Sequence, residues 1–299
     1  MDEPAPPPLR PSFRVVDAHQ HFWDLGRNRY PWLQDEPPKP FRYGDYRAIR
    51  RNYLPPDYRA DTARFEIAAT VHVEAEWDPA DPVGEQRWLA GLRAETGLPT
   101  VSVCQAWLDR EDVEEVLAAQ AKFPFVRGIR HKPGTAEKRG AAGSMDDPRW
   151  RAGYAALARH GFSFDLQTPF RHAEAARDLA RDFAQTLIII NHTFLPVDGG
   201  EEGLASWRKA LEMVAGEENV ALKISGLAPG LDKAKVAREA VAIFGTERTM
   251  FASNYPVDSL VAPFGTIFDA FRKAVAGMGE ETERKLFHDN AVNAYRLAR

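Results

Sequence analysis

The 299-residue chain has one cysteine, Cys104, and no long apolar run. A lone thiol makes no internal disulfide, so a disulfide-stapled secreted scaffold is excluded and a reducing cytoplasm is the expected setting. Nothing approaches the ~20 consecutive apolar residues of a bilayer span; the run at 187–190 has four. No block of one charge sign stands out either. The 39 Lys and Arg are interspersed among 43 acidic residues, for a net charge of −4. Neither nucleic acid nor a membrane surface is therefore an expected partner. The opening MDEPAPPPLRPS lacks the apolar stretch of a signal peptide. Residues 1–11 read as a loose tail and 12–299 as one domain. The expected partner is a small-molecule substrate, with a homodimer allowed for.

What is present is an alternation. Short, mostly apolar runs occur at 13–18, 68–73, 99–105, 125–131, 162–167, 186–192, 220–225 and 249–253. They read as strands covered on both faces. Helical spacing fills 83–95, 112–122, 148–160, 173–184, 204–215 and 233–244, and a helical tail occupies 280–297. Several of these begin at a capping residue such as Asp112 or Asp147, and several end at glycine (Gly97, Gly161, Gly216). Eight strands with intervening helices match a (β/α)₈ barrel. A doubly wound sheet is the alternative, but the first strand runs into DAHQHFW and not into a glycine-rich phosphate turn. The interval between the first two strands is long and rich in Pro and aromatics, including Trp23, Tyr30, Trp32, Phe41 and Pro55-Pro56. Linkers rarely carry such rings, so it reads as a packed excursion over one barrel mouth.

In such barrels the chemistry sits at the C-terminal strand ends. The first strand ends in His19-Gln20-His21, two imidazoles on one side that can converge on one ion or one substrate oxygen. The sixth ends in Asn191-His192. The second ends in His72-Val73-Glu74, the fourth carries Arg127 and Arg130, and the fifth ends in Asp165-Leu166-Gln167. The seventh offers Lys223 and Ser225, and the eighth ends in Ser253-Asn254-Tyr255-Pro256 with Asp258 just beyond. His72 and His131 read as hydrogen-bonded structure. Arg127 and Arg130 suit carboxylate or oxyanion binding, or ion pairs at the rim. Lys223, within an apolar run, is either desolvated and functional or reaching for the rim.

These residues resemble a known family. VVDAHQHFWD with Tyr30-Pro31-Trp32-Leu33, then FVRGIR at 125–130, FSFDL at 162–166, INH at 190–192, KISGL at 223–227 and MFASNYPVD at 250–258 follow one family's order. It is the amidohydrolase-related family of TIM-barrel hydrolases. Within it the resemblance is to the branch of sugar-lactone hydrolases and pyrone-dicarboxylate lactonase. The resemblance implies a distorted barrel that hydrolyses cyclic esters or amides at its C-terminal mouth. It matches His19, His21 and His192 to the family's histidines, and Arg127 and Arg130 to arginines that hold acidic substrates. Many members have a water-activating Asp at the end of strand eight, where this chain has Asn254. An amide is no general base, so the base is sought at Asp258, Glu74 or an imidazole, with Asn254 orienting water or binding substrate. One divalent metal, zinc first, would take His19, His21 and His192, with Glu74 or Asp258 as a fourth ligand. Metal-free polarisation of the lactone carbonyl is the other route.

The expected function is lactone hydrolysis, of a sugar-derived or aromatic-catabolic cyclic ester. The substrate would be held by Arg127, Arg130, Lys223, Glu74 and Gln167 and roofed by Trp23, Tyr30 and Trp32. A metal-dependent decarboxylase or amide hydrolase on the same barrel is the alternative, and a non-catalytic ligand-binding barrel a third.

Overall fold

The computed structural model describes residues 14–135, 140–196 and 200–298; the tail expected at 1–11 lies outside them. Each apolar run forms a strand: β1 (Arg14–Gln20), β2 (Glu66–Val73), β3 (Val101–Gln105), β4 (Val126–Arg130), β5 (Ser163–Leu166), β6 (Ile188–Ile190), β7 (Val220–Ile224) and β8 (Thr249–Phe251). They lie in sequence order in one sheet, each parallel to the next. The fold is a distorted (β/α)₈ barrel.

β1 and β8 close the barrel without a regular ladder. Asn254 N donates to His19 O (2.7 Å) and His21 N to Tyr255 O (2.7 Å). Below them the buried Asp17 carboxylate accepts from Ser253 N (2.9 Å), Ser253 Oγ (2.6 Å) and Tyr58 OH (2.9 Å). These bonds pin the two strand ends that carry the candidate chemistry.

The barrel interior is filled by small and branched side chains, including Val16, Ala18, Val71, Val103, Ile189 and Ala252. Tyr295 and Leu297 of the C-terminal segment join this cluster. Above that apolar layer is a polar one. Lys223 Nζ donates to Asp165 Oδ1 (2.6 Å), as does Tyr295 OH (3.0 Å), and both charged side chains are fully buried. The expected C-terminal helix forms, with one π turn inside it. It runs Glu280–Arg284, a π turn at Lys285–Asp289, then Asn290–Ala294. A helix not expected from the sequence, Phe264–Val275, packs Phe264, Phe268 and Phe271 inward. Gly265 and the preceding Pro263 obscure its apolar spacing.

The excursion is a packed roof. It contains short helices at Pro31–Gln34 and Pro55–Asp61. Trp32 is its hub: it meets Trp23, Phe41 and Tyr46 with ring centroids 5.6–5.9 Å apart, and its Nε1 donates to Ala75 O (2.8 Å) at the end of β2. Among the described residues no helix is long and apolar enough to cross a membrane.

Candidate active site

The histidines converge at the C-terminal mouth. His19 lies within β1 and His21 just beyond it, and their Nε2 atoms are 3.2 Å apart. His21 Nδ1 is 2.6 Å from Val73 O. A carbonyl only accepts, so the His21 proton sits on Nδ1 and Nε2 keeps its electron pair. His192 stands beside them, its ring centroid 4.7 Å from that of His19 and its Nδ1 3.1 Å from Ser225 Oγ. Burial, and then the nearby cations Lys223 and Arg130, hold His19 and His21 well below the ordinary imidazole range. Burial and then Arg42 do the same for His192. All three are neutral at pH 7.

Asn254 sits at a positive φ of 54°, a conformation an Asn side chain tolerates better than most. Its Nδ2 donates to Asp258 Oδ1 (2.7 Å), which turns Oδ1 toward His21 Nε2 at 3.3 Å. Asp258 also accepts from Tyr43 OH (3.0 Å) and Gly226 N (3.0 Å). Burial pushes its carboxyl up to about 6 against these lowering contacts. The result is a corner rich in electron pairs: His19 Nε2, His21 Nε2 and Asn254 Oδ1 face one another with one imidazole proton at most between them.

His192 is delivered by an uncommon turn. Residues 192–195 all have φ between 54° and 63°, a left-handed stretch costing roughly 1–2 kcal/mol per residue for non-glycine side chains. Thr193 offsets part of this: its Oγ1 donates to Ser225 O (3.0 Å) and its carbonyl accepts from Trp207 Nε1 (2.8 Å). Gly226 backs the His192 ring. It has φ +63°, and a Cβ there would lie 2.6 Å from the imidazole.

The cluster opens into a cavity of about 290 Å³. Of the residues expected to meet substrate, His21, Trp32, Arg130, Gln167, His192 and Asn254 line it. Arg130 is buried, with its Nε 2.5 Å from Glu74 Oε1 and a second bond to Gln167 Oε1 (3.1 Å). His19 lies behind His21 and Asp258 behind Asn254.

Five expectations are corrected. Glu74, expected to hold substrate, does not line this cavity and is tied to Arg130 Nε. Arg127 is the second residue of β4, three before Arg130, and so lies roughly 10 Å farther from the mouth. It bonds the carbonyls of Pro124 and Val126, beside Arg296 and Arg93 at the opposite end of the barrel. Lys223 points into the barrel and is held by Asp165 beneath the histidines. Trp23 and Tyr30 are fully buried. Trp23 donates to Arg51 O (2.7 Å) and Tyr30 packs edge-on against Trp77, so both build the roof from within.

The cavity also holds residues the sequence reading missed: Lys39, Phe41, Arg42 and Tyr46 from the roof, and Glu76 with its ion-pair partner Lys132. Glu76 and Lys132 lie just beyond the ends of β2 and β4, Glu76 at a positive φ of 58°, so strand alternation did not reach them. The K-P-F-R-Y sequence at 39–43, cations among rings, was the signal for the others.

A metal ion would take His19 and His21. Their Nε2 separation is close to the ~3.3 Å between two ligands of one tetrahedral zinc with bonds of 2.0–2.1 Å, and Asn254 Oδ1 lies alongside. Among the described residues no group of three or more His, Cys, Asp or Glu side chains is arranged to hold a metal. His192 thus does not complete a triad with the pair, and its Nδ1 is turned to Ser225.

Comparison with known proteins agrees with this architecture. A family profile described as amidohydrolase matches residues 16–297. An uncharacterised protein of Sinorhizobium fredii, y4mH, is 39% identical over 294 residues, covering 95% of this chain and 98% of that relative. An L-fucono-1,5-lactonase of Burkholderia ambifaria is 28% identical over 309 residues, covering 96% and 97%. Among solved structures, an amidohydrolase from Burkholderia multivorans with bound zinc superposes with a TM-score of 0.80 at 23% identity, covering 95% of this chain and 99% of its own.

Proposed function

The chain belongs to the amidohydrolase family, and from that premise we propose that it hydrolyses a lactone, of the sugar-derived kind named for its Burkholderia ambifaria relative. The observation that carries the proposal is the electron-pair-rich corner of His19, His21 and Asn254, open to a cavity lined by four cations (Lys39, Arg42, Arg130, Lys132) and one acid, Glu76. Water binds at that corner with Asn254 Oδ1 as an acceptor. His21 Nε2 takes one proton as the water oxygen bonds to the carbonyl carbon. The imidazolium so formed is steadied by its Nδ1–H bond to Val73 O. The carbonyl oxygen becomes an oxyanion facing the Arg130 guanidinium. As the ring C–O bond breaks, His21 returns its proton to the leaving oxygen, and the product is the open hydroxy acid. A divalent ion bound by His19 and His21 would occupy the His21 Nε2 electron pair and so replace His21 as the base: it would lower the pKa of a bound water and polarise the carbonyl.

The test is a panel of monocyclic sugar lactones and muconate-type lactones, followed by acid release with a pH indicator, before and after chelation. Acid release without loss of carbon supports the reading, whereas CO₂ release points to decarboxylation. His21→Ala is expected to lower kcat about 10²–10⁴-fold with the barrel still folded by circular dichroism. Near-normal turnover by that variant would overturn the assignment. Zinc titrated against the apo protein is expected to raise Tm, and His19→Ala to remove the shift.

A further inference from the structure

Beside the catalytic cavity lies a second chamber of about 230 Å³. The two share Trp32, Lys39, Glu76 and Lys132 as a common wall, so they are neighbouring compartments of one mouth. The Glu76–Lys132 ion pair stands at the junction. None of the hydrolytic steps above uses the second chamber.

Its lining has a recognisable chemistry. Trp77 and Trp107 supply flat apolar faces, both only partly buried. Polar groups are set among them: the carboxylates of Glu74 and Glu76, the Gln105 amide and the His131 imidazole. Glu74 pairs with Arg130 and Glu76 with Lys132, and each carboxylate keeps electron pairs for a further donor. His131 Nδ1 accepts from Leu108 N (3.0 Å) and from Trp150 Nε1 (3.0 Å). The His131 proton therefore sits on Nε2, on the other edge of the ring. Indole rings with carboxylate acceptors and one imidazole donor suit a ring with apolar C–H faces and hydroxyls at its edge. A plain aryl ring would stack as well, but it brings no hydroxyls to those acceptors.

We propose that this chamber is a subsite for a second sugar ring, so that the preferred substrate is a glycosyl-substituted sugar lactone and not a monocyclic one. This inference rests on the lactonase reading for its chemistry and on the side chamber for its specificity. The lactone ring occupies the catalytic cavity. The glycosyl unit passes the Glu76–Lys132 junction and lies against Trp107, with hydroxyls toward Glu74 and His131.

The experiment compares three lactones of one sugar acid: unsubstituted, glycosylated and aryl-substituted. The expected result is a KM about tenfold lower for the glycosylated lactone, the factor that corresponds to one good stacking and hydrogen-bonding contact. Trp107→Ala is expected to erase that advantage while leaving the unsubstituted lactone within about twofold, and Trp107→Phe to restore most of it. Equal KM for all three, a preference for the aryl compound, or a Trp107→Ala loss shared by every substrate would overturn the subsite and leave the lactonase reading standing. Calorimetric titration with the glycosylated sugar acid separates the two ideas when no lactone turns over. Binding that weakens in Trp107→Ala supports the subsite although the reaction assignment has failed, and absence of binding removes both.

Discussion

At the scale of single residues, the site depends on side chains that hold others in place. Asp258 never reaches the cavity, yet its carboxylate fixes which way the Asn254 amide points. Ionised, it accepts Nδ2–H in a charge-assisted bond; protonated, it loses the charge and gains a competing O–H donor, so that hold weakens. Its carboxyl is pushed up to about 6 by burial, while burial holds the three imidazoles well below their ordinary value. Activity is therefore expected to rise with pH through a midpoint near 6. In Asp258→Asn this limb should vanish from the kcat/KM profile and the plateau should drop. A limb that survives the substitution belongs to another group. Gly226 carries a second prediction. An added methyl meets both the strained φ and the His192 ring, so Gly226→Ala is expected to shift a cavity-lining imidazole and the N–H that Asp258 accepts, and to lower kcat/KM about 10²-fold, as a misplacement of about 1 Å does. Single-turnover kinetics on a folded sample would measure it.

At the scale of elements, the strands were legible because buried parallel strands are written as short apolar runs. Their polar ends were legible because side chains alternate. His19, His21 and His192 could be placed together on that basis alone. The same logic failed for Arg127 and Lys223. Both lie on the right strands, but height along the barrel axis is set by register and by a shift between β3 and β4 that composition does not reveal. The roof was recognisable as packed from its Pro and Trp content. Which of its rings would face the cavity was not, because that depends on contacts such as Trp32 Nε1 to Ala75 O. Nor did any local signal announce the left-handed turn at 192–195; tertiary bonds from Ser225 and Trp207 sustain it. Thr193→Val removes one of these and is expected to cost about 1–2 kcal/mol in denaturant unfolding. It should lower kcat/KM as well, because the cavity-lining His192 shifts with the turn.

At the scale of the whole molecule, the barrel has one working end. Its interior is occupied by apolar side chains and the C-terminal segment, and the layer beneath the histidines is a buried ion pair. Asp165→Ala would strand the Lys223 ammonium in that layer, and a loss of about 3–5 kcal/mol is expected from urea unfolding. Replacing both partners, as Asp165→Leu with Lys223→Met, should recover most of the loss, because no lone charge then remains buried. The open end divides its labour. Reacting groups stand on strand ends scattered from residue 19 to residue 254, whereas Trp32, Lys39, Phe41, Arg42 and Tyr46 all come from one uninterrupted stretch of chain. A lineage can thus exchange that stretch by recombination and inherit a new diet while the reaction itself is left alone.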